Sequence, residues 1–206
     1  MRREELRRLR QVREKTLRMV SDLSQAEIDD SPADGWSVGQ LLDHLRRADI
    51  TYGGEIRRLI DLERAGQRPA INVGLAEMEF PVPWIPKSVL PFADVPTAIF
   101  NFVLPNRVRE FFLRNPIVPA ESPPVLKPEA GHSKEELVQG LRESLSQTER
   151  LFLGNPDLRF EEFRYYHPLF GYNNAYDILR LLISHEERHQ EQLSKMLAHA
   201  SAAKLG

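Results

Sequence analysis

Four long stretches of this sequence repeat apolar residues at the three- and four-residue spacing of an α-helix. They cover about residues 3–23, 37–66 and 133–153, and a last stretch that begins near Asn173 or Asn174 and continues past Met196. No stretch sustains the alternation of apolar and polar residues that is typical of a half-buried strand. Four amphipathic helices in one chain favour packing as a helix bundle. We therefore predict an all-α fold, a four-helix bundle, within a single domain that spans residues 1–206.

Sequence signals at the helix ends support these boundaries. Ser37 with Gln40, and Ser133 with Glu136, have the spacing of a capping box, in which each side chain bonds the backbone of the other residue. The third helix is predicted to stop at the Gly-Asn-Pro of residues 154–156, because glycine and proline commonly end helices.

The segment from Pro69 to Pro128, between the second and third helices, holds twelve of the fifteen prolines. Proline disfavours helical geometry, but the segment also has many aromatic and aliphatic residues, so it is too apolar for a free linker. We predict an irregular insertion with one or two short helices, over residues 96–102 and 105–114. A lid over a pocket and a long crossover between neighbouring helices remain equally open interpretations.

Composition excludes several functional classes. A net charge of -2 gives no general attraction to phosphate backbones or anionic lipid. Seven arginines and one lysine lie within residues 1–20, and the apolar spacing beneath them favours a solvated outer helix face. No apolar run reaches the length of a membrane span, and no signal peptide is recognisable. We expect a cytoplasmic protein with no nucleic-acid or membrane partner, acting on a small molecule.

The absence of cysteine leaves only histidine and carboxylate side chains as metal ligands. Within the last helix the sequence His-Glu-Glu-Arg-His at residues 185–189 places two histidines four residues apart, on one helix face. A helical wheel puts both inside the apolar stripe of that helix. Two imidazoles that face a core need a partner, and a shared cation satisfies both. We predict that His185 and His189 are metal ligands.

The same five residues match the H-E-x-x-H motif of zinc peptidases, but a third ligand is missing downstream. Only seventeen residues follow His189, and His199 lies on the same helix, about 15 Å further along the axis. A di-iron carboxylate site is also disfavoured, because the other predicted helices supply no second E-x-x-H. The third ligand must come from an earlier helix, and His44 is the candidate. Three histidines and a water would form an open metal site.

Three further polar residues are considered beside these candidate ligands. Glu186 falls close to the apolar stripe, so it is a candidate general base or a residue that orients a ligand histidine; an exposed glutamate is the equally weighted alternative. Asp43 is interpreted as solvated. His167, before Pro168, is interpreted as fixing the turn into the last helix.

Three segments together resemble one family. G-W-S-V-G-Q-L-L-D-H-L at 35–45, H-P-L-F-G at 167–171 and H-E-E-R-H-Q-E-Q at 185–192 are similar to the DinB/YfiT-like superfamily. The resemblance covers about residues 10–66 and 133–198, and the 69–128 insertion departs from the compact family pattern. It implies an up-up-down-down bundle, often a homodimer, with a divalent ion such as nickel or zinc at positions 44, 185 and 189. Characterised members include thiol S-transferases that use low-molecular-weight thiols and a thiol-dependent isomerase, and others are described as metal-dependent hydrolases.

Three functional classes follow for this chain. The first is a metal-dependent enzyme that acts on small molecules, either an S-transferase or a hydrolase. Since the chain has no cysteine, S-transfer would require a low-molecular-weight thiol as cosubstrate. The second class is a non-catalytic metal-binding stress-response module, and the third is a purely structural bundle without an ion.

Overall fold

The computed structural model describes residues 2–31, 35–73, 124–167 and 171–203, and this part of the chain is mostly helical. Its five α-helices, besides a 3-10 turn at Pro124–Leu126, are α1 (Arg2–Met19), α2 (Gln25–Asp29), α3 (Val38–Arg64), α4 (Lys134–Leu153) and α5 (Ala175–Ala203). The predicted helical class is confirmed. None of the helices in these ranges is long and apolar enough to cross a membrane.

Both predicted capping boxes form. The Ser37 N–H donates to Gln40 Oε1 at 3.0 Å, and the Gln40 N–H donates to Ser37 Oγ at 3.1 Å, at the start of α3. Ser133 and Glu136 make the same reciprocal pair at the start of α4, which ends at Gly154 as predicted. Each box satisfies amide groups that the helix itself leaves without an acceptor, so both helix starts are fixed by local sequence.

The start of α5 is also where the sequence predicts it. Asn174 Oδ1 accepts hydrogen bonds from the N–H groups of Tyr176 and Asp177, at 2.9 and 3.1 Å. In return, Asp177 Oδ2 accepts from the Asn174 N–H at 3.0 Å. Asparagine is among the best residues for this position because its side-chain oxygen reaches the first free amides.

The first helix is shorter than predicted. It ends at Met19, four residues before the predicted end, and the short helix α2 follows. A further capping box explains the new start, because the Ser24 side chain accepts from the Glu27 N–H while the Glu27 side chain accepts from the Ser24 N–H. A Cβ at Gly39 would lie 3.1 Å from Ile28 Cγ2, so the glycine allows α2 to pack closely on α3.

A small sheet was not predicted from the sequence. Its strands are β1 (Ala70–Asn72), β2 (Arg164–His167) and β3 (Gly171–Asn173), in the order β1-β2-β3. Strand β1 is parallel to β2, and β2 is antiparallel to β3. Strands of three or four residues are too short to show a recognisable alternation. Within the described residues, the expectation that no strand is sustained was therefore correct about long strands and missed these short ones.

The chain divides into two compact units. One comprises residues 1–53, 128–155 and 179–206, and the other comprises 54–127 and 156–178. The first unit contains an apolar core to which four helices and the turn after α1 contribute. Its buried members are Val20, Ile28, Val38, Leu41, Leu42, Leu45, Leu137, Leu141 and Leu193. The single-domain assignment stays a prediction, and the short helices predicted at 96–102 and 105–114 lie outside the described residues.

His167, in the second unit, is buried at the end of β2, opposite Gly171 of β3. Burial lowers the pKa of its imidazole to about 3, from an ordinary value of 6.5. The residues of the turn that it was expected to fix, 168–170, lie outside the described ranges.

The lowered pKa of His167 predicts a loss of stability in mild acid. Below pH 6.5 the unfolded chain takes up a proton at this residue and the folded chain does not, until the pH approaches 3. The free energy of unfolding should therefore fall by roughly 2 kcal/mol between pH 7 and pH 5 through this residue alone. Urea denaturation at both pH values would measure the loss, which His167→Asn should reduce by that amount. An identical pH dependence in wild type and variant would contradict the prediction.

Candidate metal centre

Three histidine rings from two helices meet at one point in the first unit. His44 Nε2 on α3 lies 3.1 Å from His185 Nε2 on α5, and His189 Nε2 lies 3.2 Å from the same atom. The ring centroids are 4.6 to 5.0 Å apart. This is the group of histidine and acidic side chains in the described part of the chain that could hold a metal ion, and it contains the three residues that the sequence predicted.

The nitrogen separations match those around a single ion. Two nitrogens at about 2.05 Å from one zinc ion lie about 3.3 Å apart at a tetrahedral angle and about 2.9 Å apart at a right angle. The two measured separations fall between these values. All three ligand atoms lie within 4.8 Å of one another, so one ion could contact all three with small ring movements.

Local structure holds the rings in place. His44 follows the Ser37 cap of α3 by two helical turns and is 4% exposed. The ring of Trp36 packs against it, with centroids 4.9 Å apart. His185 and His189 stand on one face of α5 because four residues make about one turn. His189 is buried and His185 is partly exposed.

Burial and the proximity of the rings keep His185 and His189 neutral. Burial lowers the pKa of His185 well below 6.5, and the neighbouring His189 and His44 lower it further. Burial and His44 lower the pKa of His189 to about 4. A neutral imidazole has a free lone pair on one ring nitrogen, and this neutral form is the one that binds a metal. At neutral pH, His185 and His189 therefore each have a ring nitrogen that can bind a metal.

Comparison with known proteins places the chain in a family. The family model described as the DinB superfamily matches residues 8–193, which is most of the chain. The chain belongs to the DinB superfamily. No curated protein and no solved structure matched it significantly. The suspected resemblance is therefore confirmed at the level of the family, and the matched range includes all three clustered histidines.

In this DinB protein an amide fixes one ring of the cluster. His189 Nδ1 lies 3.0 Å from Gln192 Oε1, one turn further along α5. An amide oxygen can only accept, so this contact assigns the proton to Nδ1 and leaves the lone pair on Nε2, toward the other rings. Metal-binding histidines commonly make such a bond with their second nitrogen. Gln192 was not singled out in the sequence, although its position three residues after His189 was visible there.

Glu186 is buried, which excludes the interpretation that it is an exposed glutamate. Its Oε1 accepts hydrogen bonds from Arg13 Nε at 2.9 Å and from the Thr16 hydroxyl at 2.6 Å. Its Oε2 accepts from Arg13 Nη2 at 3.0 Å. The carboxylate is thus bonded through both oxygens to α1, the first helix of this DinB chain.

Sequence reasoning missed Arg13. The arginines of α1 were assigned to a solvated face, but Arg13 is 1% exposed and pairs with both Glu186 and Asp49. Burial lowers the pKa of its guanidinium, but the two carboxylates outweigh that effect and raise it above its ordinary range. The signal was present, since Leu6, Leu9 and Arg13 share one helical spacing.

Asp43, next to His44, is also buried, so its interpretation as a solvated residue was wrong. It is bonded by Arg46 at 2.6 Å, by Arg47 at 2.7 Å and by the Glu129 N–H at 2.9 Å. Burial would raise the pKa of its carboxyl, but these three donors outweigh it, so the pKa lies below 3.8. Its partners include a residue 86 positions away, which helical periodicity does not reveal.

His199, rejected as a ligand from the sequence, is exposed on α5 and is not a member of the cluster. The axial distance from His189 explains this, because ten residues of helix span about 15 Å. His199 is therefore a natural control for experiments on the clustered histidines.

Proposed function

We propose that this protein is a metal-dependent enzyme of the DinB superfamily that acts on small molecules at a divalent ion bound by His44, His185 and His189. The observation that carries the proposal is the convergence of three Nε2 atoms, with separations of 3.1 and 3.2 Å to the central one. Membership of the DinB superfamily over residues 8–193 supports it. Nickel and zinc are among the ions that suit a donor set of imidazoles.

Three protein ligands leave coordination positions for water or substrate, as in catalytic zinc sites. Neutral imidazoles also leave the full charge of a divalent ion in place, because no carboxylate is among the donors. Such an ion would lower the pKa of a bound water or of a bound thiol, so that either could act as a nucleophile. A water nucleophile would give hydrolysis and a thiolate would give S-transfer. Since the chain has no cysteine, the thiol would be a low-molecular-weight cosubstrate.

We assign Glu186 the role of orienting a ligand histidine. A general base needs an oxygen that faces the substrate and is free to accept a proton. Both oxygens of Glu186 accept hydrogen bonds from Arg13, and Oε1 also accepts one from Thr16. The carboxylate follows His185 directly in α5, so its contacts favour a part in holding the ligand helix.

The arrangement that we propose around the site is an up-up-down-down bundle of α1, α3, α4 and α5. The shared apolar core of the first unit supports it, since each of these helices, or the turn that follows it, contributes a buried residue. The Pro69 to Pro128 insertion and the homodimer stay predictions.

Cobalt substitution tests whether the ion is open to a substrate. We expect elemental analysis of the purified protein to find one divalent ion per chain, and an exogenous thiol to change the visible spectrum of the cobalt form. The physical reason is that a thiolate entering a vacant position changes the ligand field. Elemental analysis of the cobalt form, desalted after the titration, controls for removal of the ion by the thiol.

A bound ion whose cobalt spectrum does not respond to thiols or to small anions would contradict the proposal. That outcome would favour a non-catalytic metal-binding module. Protein that stays free of metal after incubation with excess nickel and zinc would leave only a structural bundle.

A further inference from the structure

Helix α1 supplies no ligand to the histidine cluster, yet its buried side holds the two helices that do. Arg13 reaches both of them. Its guanidinium bonds Glu186 on α5 through Nε and Nη2, at 2.9 and 3.0 Å, and bonds Asp49 on α3 through Nη2, at 2.7 Å. Asp49 lies five residues after His44, and Glu186 lies between the two histidines of α5.

The fourth helix is attached to the same group. Arg13 Nη1 donates to the Leu141 carbonyl at 2.5 Å and lies 3.3 Å from Ser144 Oγ. The Ser144 hydroxyl donates to Asp49 Oδ2 at 2.6 Å. One side chain from α1 therefore contacts α3, α4 and α5 at once. The planar fork of arginine can do this, and the point charge of lysine cannot.

Further hydrogen bonds to α1 fix the rotation of α5 about its own axis. Each ligand histidine on this helix is followed by a residue that bonds α1, because Glu186 follows His185 and Gln190 follows His189. Gln190 Nε2 donates to the Val12 carbonyl at 2.8 Å and to Thr16 Oγ1 at 3.0 Å. The bonds that Glu186 and Gln190 make with α1 therefore set the direction in which His185 and His189 point.

The hydrogen bonds between α5 and α1 are important because metal ligands must be placed accurately. Side-chain tips lie about 5–6 Å from a helix axis, so a rotation of about 10° moves an imidazole nitrogen by about 1 Å. Distances from a metal to its ligands tolerate changes of only about 0.2 Å. A helix held by apolar packing alone can rotate further than this at modest cost, whereas bidentate hydrogen bonds are directional.

We propose that Arg13 is the positioning residue of this centre: by bonding Glu186 and Asp49 together it fixes α5 against α3 so that His44, His185 and His189 converge. The proposal rests on the proposed function, since it requires these histidines to bind an ion. It extends that function with a residue that contacts neither the ion nor a substrate.

Cobalt(II) titration of two variants tests the role. In Arg13→Lys and in Glu186→Gln we expect cobalt to bind about 10–100-fold more weakly than in wild type, as for loss of a residue that orients a metal ligand. The visible bands of the bound cobalt should also shift, because the ligand angles change. Far-UV circular dichroism would confirm that the variants remain folded.

An exposed pair between the same two helices provides matched controls. Arg8 Nη2 lies 3.0 Å from Glu187 Oε1, with side chains 48% and 36% exposed. Arg8→Lys makes the same chemical change five residues before Arg13, and Glu187→Gln makes it one residue after Glu186. Both should bind cobalt with wild-type affinity and wild-type bands.

The outcomes separate the two proposals. Wild-type protein that binds no cobalt would remove the proposed function and this role with it. If the wild-type protein binds cobalt, and both variants bind it within twofold of the wild-type affinity with unchanged bands, only the role of Arg13 is overturned. If Arg13→Lys does not fold, Glu186→Gln decides, since it keeps the volume and the acceptor for Thr16. Loss of the fold in both variants would also overturn the proposal, because the network would then maintain the fold and not the ligand geometry.

Discussion

His44→Ala is expected to lose most of its bound metal while the protein stays folded. His44 is the only member of the cluster that α3 provides, so its removal leaves two ligands on one helix face. Loss of an outer partner of a ligand already weakens binding about 10–100-fold, and loss of a ligand should weaken it by more than about 100-fold. Metal stoichiometry after dialysis, measured by elemental analysis, would show the change. His185→Ala and His189→Ala should behave alike.

His199→Ala is the control for this series. It removes an imidazole from the same helix as His185 and His189 but from an exposed position outside the cluster. Full metal content in this variant, beside loss in the other three, would assign the ion to the cluster. Full metal content in His44→Ala would instead show that the two histidines of α5 suffice, and the ligand from α3 would be removed from the proposal.

Of the substitutions proposed here, Arg13→Met should lower the free energy of unfolding the most. The substitution leaves the carboxylates of Asp49 and Glu186 buried without the guanidinium that bonds both of them. Breaking a buried ion pair by removing one partner costs about 3–5 kcal/mol, which is a large share of the stability of an ordinary domain. Urea denaturation of metal-free protein would measure the change without any contribution from a bound ion.

Arg10→Met is the matched substitution on the outer side of α1. Arg10 pairs with Glu149 at 2.6 Å, but its side chain is 55% exposed. Exposed ion pairs contribute about 0.2–1 kcal/mol, so this variant should remain close to wild type. Equal losses in the two variants would show that burial of the Arg13 network adds nothing to stability.

Much of the fold could be predicted because its signals are local. Ser37, Ser133 and Asn174 begin helices by bonding amides within the same turn, so a few adjacent residues are sufficient to predict the start. The histidines of α5 were accessible for the same reason, since a spacing of four residues defines a shared helix face. His44 could be added only by excluding other ligands, and by the family resemblance.

What the sequence did not predict depends on partners far apart in the chain. Strand β1 pairs with β2 across more than ninety residues, and Arg13 bonds Glu186 across 173. Neither contact leaves a periodic signal near its own position. Asp43 was misjudged for a related reason, because a charged residue next to a ligand was assumed to face water. Its arginine partners one turn along were present in the sequence, but its contact with Glu129 was not.

The bond between Asp43 and the backbone of Glu129 has an evolutionary consequence. Glu129 directly follows Pro128, where the chain re-enters the first unit, and its side chain also pairs with Arg47 at 2.6 Å. The chain is therefore fixed to α3 beside His44 at a defined point, where it follows residues 74–123. The entropy of closing a chain segment grows only slowly with its length, so an insertion between residues 74 and 123 should disturb this attachment little. Sequence changes in that stretch can then accumulate without displacing the three imidazoles of the cluster.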